Sequence, residues 1–124
     1  MMREIIKIRL GASDCLMRPT FAAYGDIETR LGPLRPLYTQ ILTGSGTLAA
    51  LACIVTVGMR QTDQGDGRQV DEQKVAKMIF EAGPWSDDVI IPIGEYLAAL
   101  GWTPEQKGKI EAEAERLAKA TPSA

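Results

Sequence analysis

The amino end of the chain alternates between apolar and charged side chains. In Ile6–Leu10 every second residue is apolar, with Lys7 and Arg9 between them, and this period of two is typical of a half-buried strand. Turn-forming residues come next, and a second short strand fits residues 15–18. The pattern predicts a β-hairpin over residues 3–18. Its outer edge either accepts a strand from another chain or is protected from such pairing by its charged side chains.

From residue 20 onward the apolar positions recur every three or four residues, which predicts helices. The first helix begins after Thr20, an N-cap residue that follows the strand-ending Pro19, and it ends at Gly32. Its predicted buried face consists of Phe21, Tyr24, Ile27 and Leu31.

Further helices are predicted between glycine, proline and polar breaks. The predicted segments are 33–44, 48–60, 72–82, 92–100 and 104–119. A proline inside a helix costs about 3 kcal/mol or more, so we expect a break or a kink near Ile91 and a helix from Pro92 to Leu100. Because the two periods are segregated along the chain, the predicted fold is α+β and mostly α, with an N-terminal hairpin packed on five to six short helices. We expect a single small domain over residues 1–120 and a frayed tail at 121–124.

Composition and net charge argue against two classes of partner, nucleic acids and membranes. The 124 residues have a formal charge of -2 and a pI of about 5.2, which argues against a nucleic-acid partner, since such proteins need a basic face. The longest apolar run, Leu48–Val57, is far shorter than the ~20 residues of a membrane span. We therefore expect a soluble protein that binds neither nucleic acid nor membrane.

Catalytic and metal-binding chemistry are not indicated. The chain has no histidine, which removes the usual general base and the commonest metal ligand. Asp63, Asp66 and Glu72 superficially resemble a calcium loop, but glycines occupy the positions where ligands are needed. We expect no enzyme activity, no metal and no cofactor. Cys15 and Cys53 are predicted to be two buried, reduced thiols.

One stretch resembles a known protein family. It combines Leu-x-Arg-Pro-Thr-Phe with Ile-Glu-x-Arg-Leu-Gly, and the similarity extends over about residues 5–101, including Phe80–Gly83. This is similar to the signature of the gene transfer agent family, which is grouped with the phage tail assembly chaperones. The matching motif residues are Arg18, Pro19, Thr20, Phe21, Ile27, Glu28, Leu31 and Gly32.

The resemblance implies a role in tail morphogenesis of a phage, a prophage or a gene transfer agent. A tail assembly chaperone of this kind coats the long helical tape measure protein in many copies until tube subunits polymerise around it. The alternative is a structural component of the tail tube or tail tip that stays in the particle, and a second alternative is an unrelated small adaptor. The small amount of predicted strand favours the chaperone. The implied partners are the tape measure protein, other tail proteins or further copies of the chain, in the bacterial cytoplasm or on the virion.

Six residues are candidates for binding such a partner. Arg18 and Glu28 either form an ion pair that fixes strand to helix or face the partner. The two tryptophans either cover the edge of the core or act as interface anchors, and the last helix is either solvated or docks on another chain. The candidates are Arg18, Glu28, Trp85, Trp102, Ile110 and Leu117.

Overall fold

A computed structural model describes residues 5–62, 70–103 and 105–106 of the chain. In this described part a two-stranded antiparallel hairpin is followed by five helices. The fold is α+β and mostly α, as the two successive periods predicted. The elements are β1 (Ile6–Leu10), β2 (Ser13–Met17), α1 (Phe21–Leu31), α2 (Leu34–Leu42), α3 (Leu48–Arg60), α4 (Glu72–Ala82) and α5 (Asp87–Gly101).

The hairpin closes through a two-residue turn, and it buries one face. Gly11 has φ +65° in this turn, the backbone conformation that tight hairpins require and that glycine adopts at little cost. The apolar residues of β1 are buried, whereas Lys7 and Arg9 are exposed. The prediction that Ser13 and Asp14 belong to the turn was wrong, because both residues pair with β1 as the start of β2.

The hairpin covers a layer formed by α3 and α5. β1 packs against α5 and β2 against α3, while α4 packs on α3, α1 on α3, and α2 on both α5 and α1. One hydrophobic cluster includes buried side chains from both strands and all five described helices. In α3 every residue from Ala50 to Gly58 is buried, as expected for a central helix that is apolar nearly all round.

Capping residues set the starts of three helices where the sequence predicted them. Thr20, Thr47 and Asp71 each accept a hydrogen bond from a main-chain N–H at the start of α1, α3 and α4, at 3.0, 3.0 and 2.9 Å. These bonds satisfy donors that have no partner inside the helix. A fourth cap is visible at the edge of the described chain, where Thr103 and Gln106 bond reciprocally at 3.1 and 3.2 Å. The predicted helix beyond this capping box and the tail at 121–124 lie outside the described residues.

Of the break or kink expected near Ile91, the break does not occur and no helix begins at Pro92, since α5 runs continuously from Asp87 to Gly101 with the proline inside it. Pro92 lies one and a half turns from the helix start, and its missing N–H leaves only the carbonyl of exposed Asp88 without a helical donor. A buried stripe that begins at Val89 and continues through Ile93 spans the proline. Packing of that stripe on the hairpin and α2 outweighs the local cost.

The two cysteines are buried and free, as predicted. Burial raises the pKa of both the Cys15 and the Cys53 thiols above the ordinary value of 9.0, so neither is an activated nucleophile. None of the described helices has the length and apolar character needed to cross a membrane.

Candidate protein-interaction surface

Five of the eight motif residues are explained by the fold. Pro19 and Ile27 are buried, and Leu31 is half-buried. The Thr20 hydroxyl donates to the Gln61 side-chain oxygen at 2.9 Å while accepting the capping bond, which ties the start of α1 to the end of α3. Gly32 ends α1 with φ +91°. These side chains position α1 and leave its other side free.

Arg18 is fixed mainly through its backbone. Its N–H donates to the carbonyl of Gly58 at 3.0 Å, and its carbonyl accepts from the Tyr96 hydroxyl at 2.9 Å. The proposed ion pair with Glu28 is not formed between these two described residues. The Arg18 side chain is half-buried, and its Nε has no hydrogen-bond partner among the described residues.

The predicted buried face of α1 was wrong at its first two residues, Phe21 and Tyr24. Phe21 is 95% exposed and Tyr24 is 37% exposed, whereas Ala23 and Ile27 are fully buried. A helix turns by about 100° per residue, so Phe21 lies about 120° around the axis from Ile27. Residues spaced three apart shift around the helix by about 60° at each step, so this row turns away from the core. The face that contacts α3 is centred on Ala23 and Ile27.

Four residues form one exposed side of α1, which we name the α1 outer face: Phe21, Tyr24, Gly25 and Glu28. Their spacing of three, four and seven places them along a single stripe. Gly25 lies mid-helix, where glycine is about 1 kcal/mol less favourable than alanine. A Cβ at Gly25 would meet nothing within 4 Å. Packing inside the described fold therefore does not require glycine at this position.

The α1 helix is also fixed to α4 by an ion pair. The Arg30 guanidinium donates to both carboxylate oxygens of Glu72, each at 2.8 Å. The hydrogen bond to Glu72 raises the pKa of Arg30 above its ordinary value. Partly exposed ion pairs contribute little to stability. The main effect of this pair is therefore to orient α1 relative to α4.

The two tryptophans differ in their surroundings. Trp85 is 73% exposed in the turn between α4 and α5. Trp102 is half-buried and meets Tyr38 edge to face, with ring centroids 5.3 Å apart, so it contributes to covering the core. The candidates Ile110 and Leu117 lie outside the described residues.

Sequence reasoning missed several exposed apolar side chains, Phe80 and Ile91 among them. Phe80 on α4 is 67% exposed and Ile91 on α5 is 50% exposed. The signal for Phe80 was present, because it lies next to Ile79 but off the Val75–Ile79 stripe that faces the core. Ile91 was hidden by the expected helix break at the following proline.

Across residues 5–62, 70–103 and 105–106, no group of three or more cysteine, aspartate or glutamate side chains is placed to hold a metal ion. Burial raises the pKa of the Tyr96 phenol above its ordinary value of 10.0, so this hydroxyl keeps its proton and acts as a structural donor.

Comparison with protein-family models gives no matching family, and comparisons with curated proteins and with solved structures give no match.

Proposed function

We propose that this protein is a non-catalytic assembly factor of a phage-like tail, and that it holds the tape measure protein through the α1 outer face before the tube forms. The proposal is supported by the motif resemblance together with one observation. Phe21 belongs to the motif but is 95% exposed, so packing among the described residues provides no reason for an aromatic side chain at this position.

An exposed phenylalanine on a rigid helix is suited to anchor a partner. Aromatic anchors dominate binding energy when they enter a desolvated contact, and burying such a side chain contributes roughly 1.5–3 kcal/mol. That energy corresponds to a factor of about ten to one hundred in Kd. Phe21 is therefore the residue of the α1 outer face whose truncation is expected to weaken binding most.

The remaining members of the α1 outer face fit an amphipathic helix as the occupant. Tyr24 extends the apolar stripe, and Gly25 allows a second helix to approach the backbone of α1 closely. Glu28 is exposed at the far end, where it can meet a basic side chain at the rim of the contact. A long helical protein such as a tape measure presents this kind of face repeatedly.

Binding is tested with the full chain and overlapping fragments of the tape measure protein from the same genome, by isothermal titration calorimetry. Phe21→Ala is expected to weaken binding at least tenfold, and Gly25→Ala is expected to weaken it by obstructing close approach. Phe80→Ala is the matched control, because it removes an exposed phenylalanine outside the α1 outer face. Unchanged affinity of Phe21→Ala, or no binding by the wild-type chain, would contradict the proposal.

Quantitative mass spectrometry of purified particles beside the lysate separates an assembly factor from a retained component. An assembly factor is abundant in the lysate and missing from mature particles. A fixed stoichiometry in particles indicates a structural tail protein instead, and binding only to proteins unrelated to tails indicates an adaptor.

A further inference from the structure

The edge of β1 that faces away from β2 has main-chain N–H and C=O groups with no partner among the described residues. Leu10 and Ser13 form the pair that flanks the two-residue turn, and antiparallel pairs alternate between bonded and non-bonded along the ladder. Lys7 and Arg9 therefore direct their N–H and C=O groups away from β2. Among the described residues, no turn, loop or helix donates to these groups or accepts from them.

A groove runs beside this edge, between β1 and the first turns of α5. Its volume is about 630 Å³, within the usual size range of binding clefts. Lys7 and Arg9 form one wall, and Ile91 lines the other together with Asp87 and Asp88. Ile91 is 50% exposed, so an apolar contact is available opposite the strand edge.

We propose that this groove binds an extended acidic segment of another protein, which adds a third strand to β1. Strand addition satisfies the main-chain groups of Lys7 and Arg9 and needs an extended partner. Side chains on neighbouring strands pair directly across the ladder, where opposite charges are favourable. Because side chains alternate between the two faces of a strand, two carboxylates separated by one residue would both lie on the face of Lys7 and Arg9. The apolar residue between them would point to the opposite face, toward Ile91 and the wall that also carries Asp87 and Asp88.

Charge also argues against a second copy of this chain as the occupant. In an antiparallel pair of two β1 strands centred on Ile8, Lys7 of one copy would stand opposite Arg9 of the other, and like charges in that position are destabilising. Within the hairpin, the Arg9 Nε donates to the Gly11 carbonyl at 3.2 Å, and its Nη1 lies 3.9 Å from Asp14, with the Arg9 and Asp14 side chains 69% and 48% exposed. The exposed guanidinium keeps further N–H donors with which it can bind a partner carboxylate.

This inference does not depend on the α1 outer face, which carries other residues. The test uses the ¹⁵N-labelled full chain and a blocked peptide, Thr-Glu-Val-Glu-Val-Glu-Thr, with a second peptide in which lysine replaces each glutamate. Binding is followed by amide chemical shifts, and strand addition by hydrogen exchange of the Lys7 and Arg9 amides. We expect the acidic peptide to bind, to slow exchange of both amides at least tenfold, and to bind more weakly as salt rises.

The double variant Lys7→Glu/Arg9→Glu is expected to weaken the acidic peptide at least tenfold and to bind the lysine peptide instead. Lys74→Glu/Lys77→Glu on α4 makes the same charge change at exposed positions away from the groove, and it should bind like the wild type. Three results would overturn the proposal: no binding of the acidic peptide at millimolar concentration, binding without protection of the two edge amides, or protection that grows with protein concentration in the absence of peptide. The last would assign the edge to a second copy.

Discussion

Replacing Gly58 by alanine tests the packing of the hairpin on the helices. An ideal Cβ at this position lies 2.7 Å from Met17 Cβ, 3.0 Å from Met17 Cγ and 3.0 Å from Tyr96 Cζ. Carbon atoms prefer separations of about 3.5–4.0 Å, so all three contacts are too short. Met17 and Tyr96 are fully buried, and the tyrosine is held by its bond to the Arg18 carbonyl, so neither side chain can turn aside into solvent.

The expected net loss of stability combines two unfavourable contributions and one favourable contribution. Overpacking of this kind costs about 1–3 kcal/mol, and displacement of β2 also weakens the Arg18–Gly58 main-chain hydrogen bond, contributing about 1 kcal/mol more. The gain in helix propensity from glycine to alanine offsets about 1 kcal/mol. Gly58→Ala should therefore lower the free energy of unfolding by about 1–3 kcal/mol, which for a chain of this length corresponds to about 4 °C in Tm per kcal/mol.

Gly25→Ala is the matched control, because the same substitution enters open space in an exposed helix. It should raise the free energy of unfolding by up to about 1 kcal/mol. Urea denaturation followed by circular dichroism, together with thermal scans, measures both variants. If Gly58→Ala is as stable as the wild type, the close approach of β2, α3 and α5 described above is wrong.

Three further perturbations test other contacts. A double-mutant cycle with Arg30→Ala and Glu72→Ala should give a coupling free energy of about 0.5–1 kcal/mol that shrinks in high salt; zero coupling at low salt would mean that the ion pair does not persist in solution. Tyr96→Phe should cost about 1–2 kcal/mol at neutral pH, since it removes the hydroxyl that donates to the Arg18 carbonyl. Burial raises the pKa of Tyr96 above 10.0, so the unfolded chain releases the proton first and stability falls as the pH rises above about 10. Denaturation curves from pH 8 to 11 should show a smaller fall for the phenylalanine variant, and an equal fall would refute this assignment. Cys15 and Cys53 should react with an aromatic disulfide reagent only after denaturation, and fast labelling of the native chain would contradict their burial.

Local signals in the sequence were sufficient for most element boundaries. The caps at Thr47 and Asp71 depend on residues within one turn, so short-range chemistry fixes where α3 and α4 begin. The strand period similarly placed the buried face of β1. These features need no knowledge of which elements meet.

The predictions from the sequence failed where contacts between elements determine the local structure. Continuity of α5 through Pro92 depends on a buried stripe that packs on β1 and α2, and no local pattern reports those partners. The exposure of Phe21 depends on which side of α1 meets α3. The spacing of the apolar residues fixes the rotation of α1 about its axis only to within about a third of a turn. The groove beside β1 combines residues about eighty positions apart, so only the folded chain brings them together.

The bond from the Tyr96 hydroxyl to the Arg18 carbonyl joins residues separated by 78 positions, and this separation has a consequence for the order of synthesis. At about 5–20 residues per second, α5 leaves the ribosome about 4–16 s after the hairpin that it covers. During that interval β1 lacks the helix on which most of its apolar face packs, and two strands alone are marginally stable. The hairpin is thus made well before the helix that covers it, and it gains much of its stability only when α5 has been added.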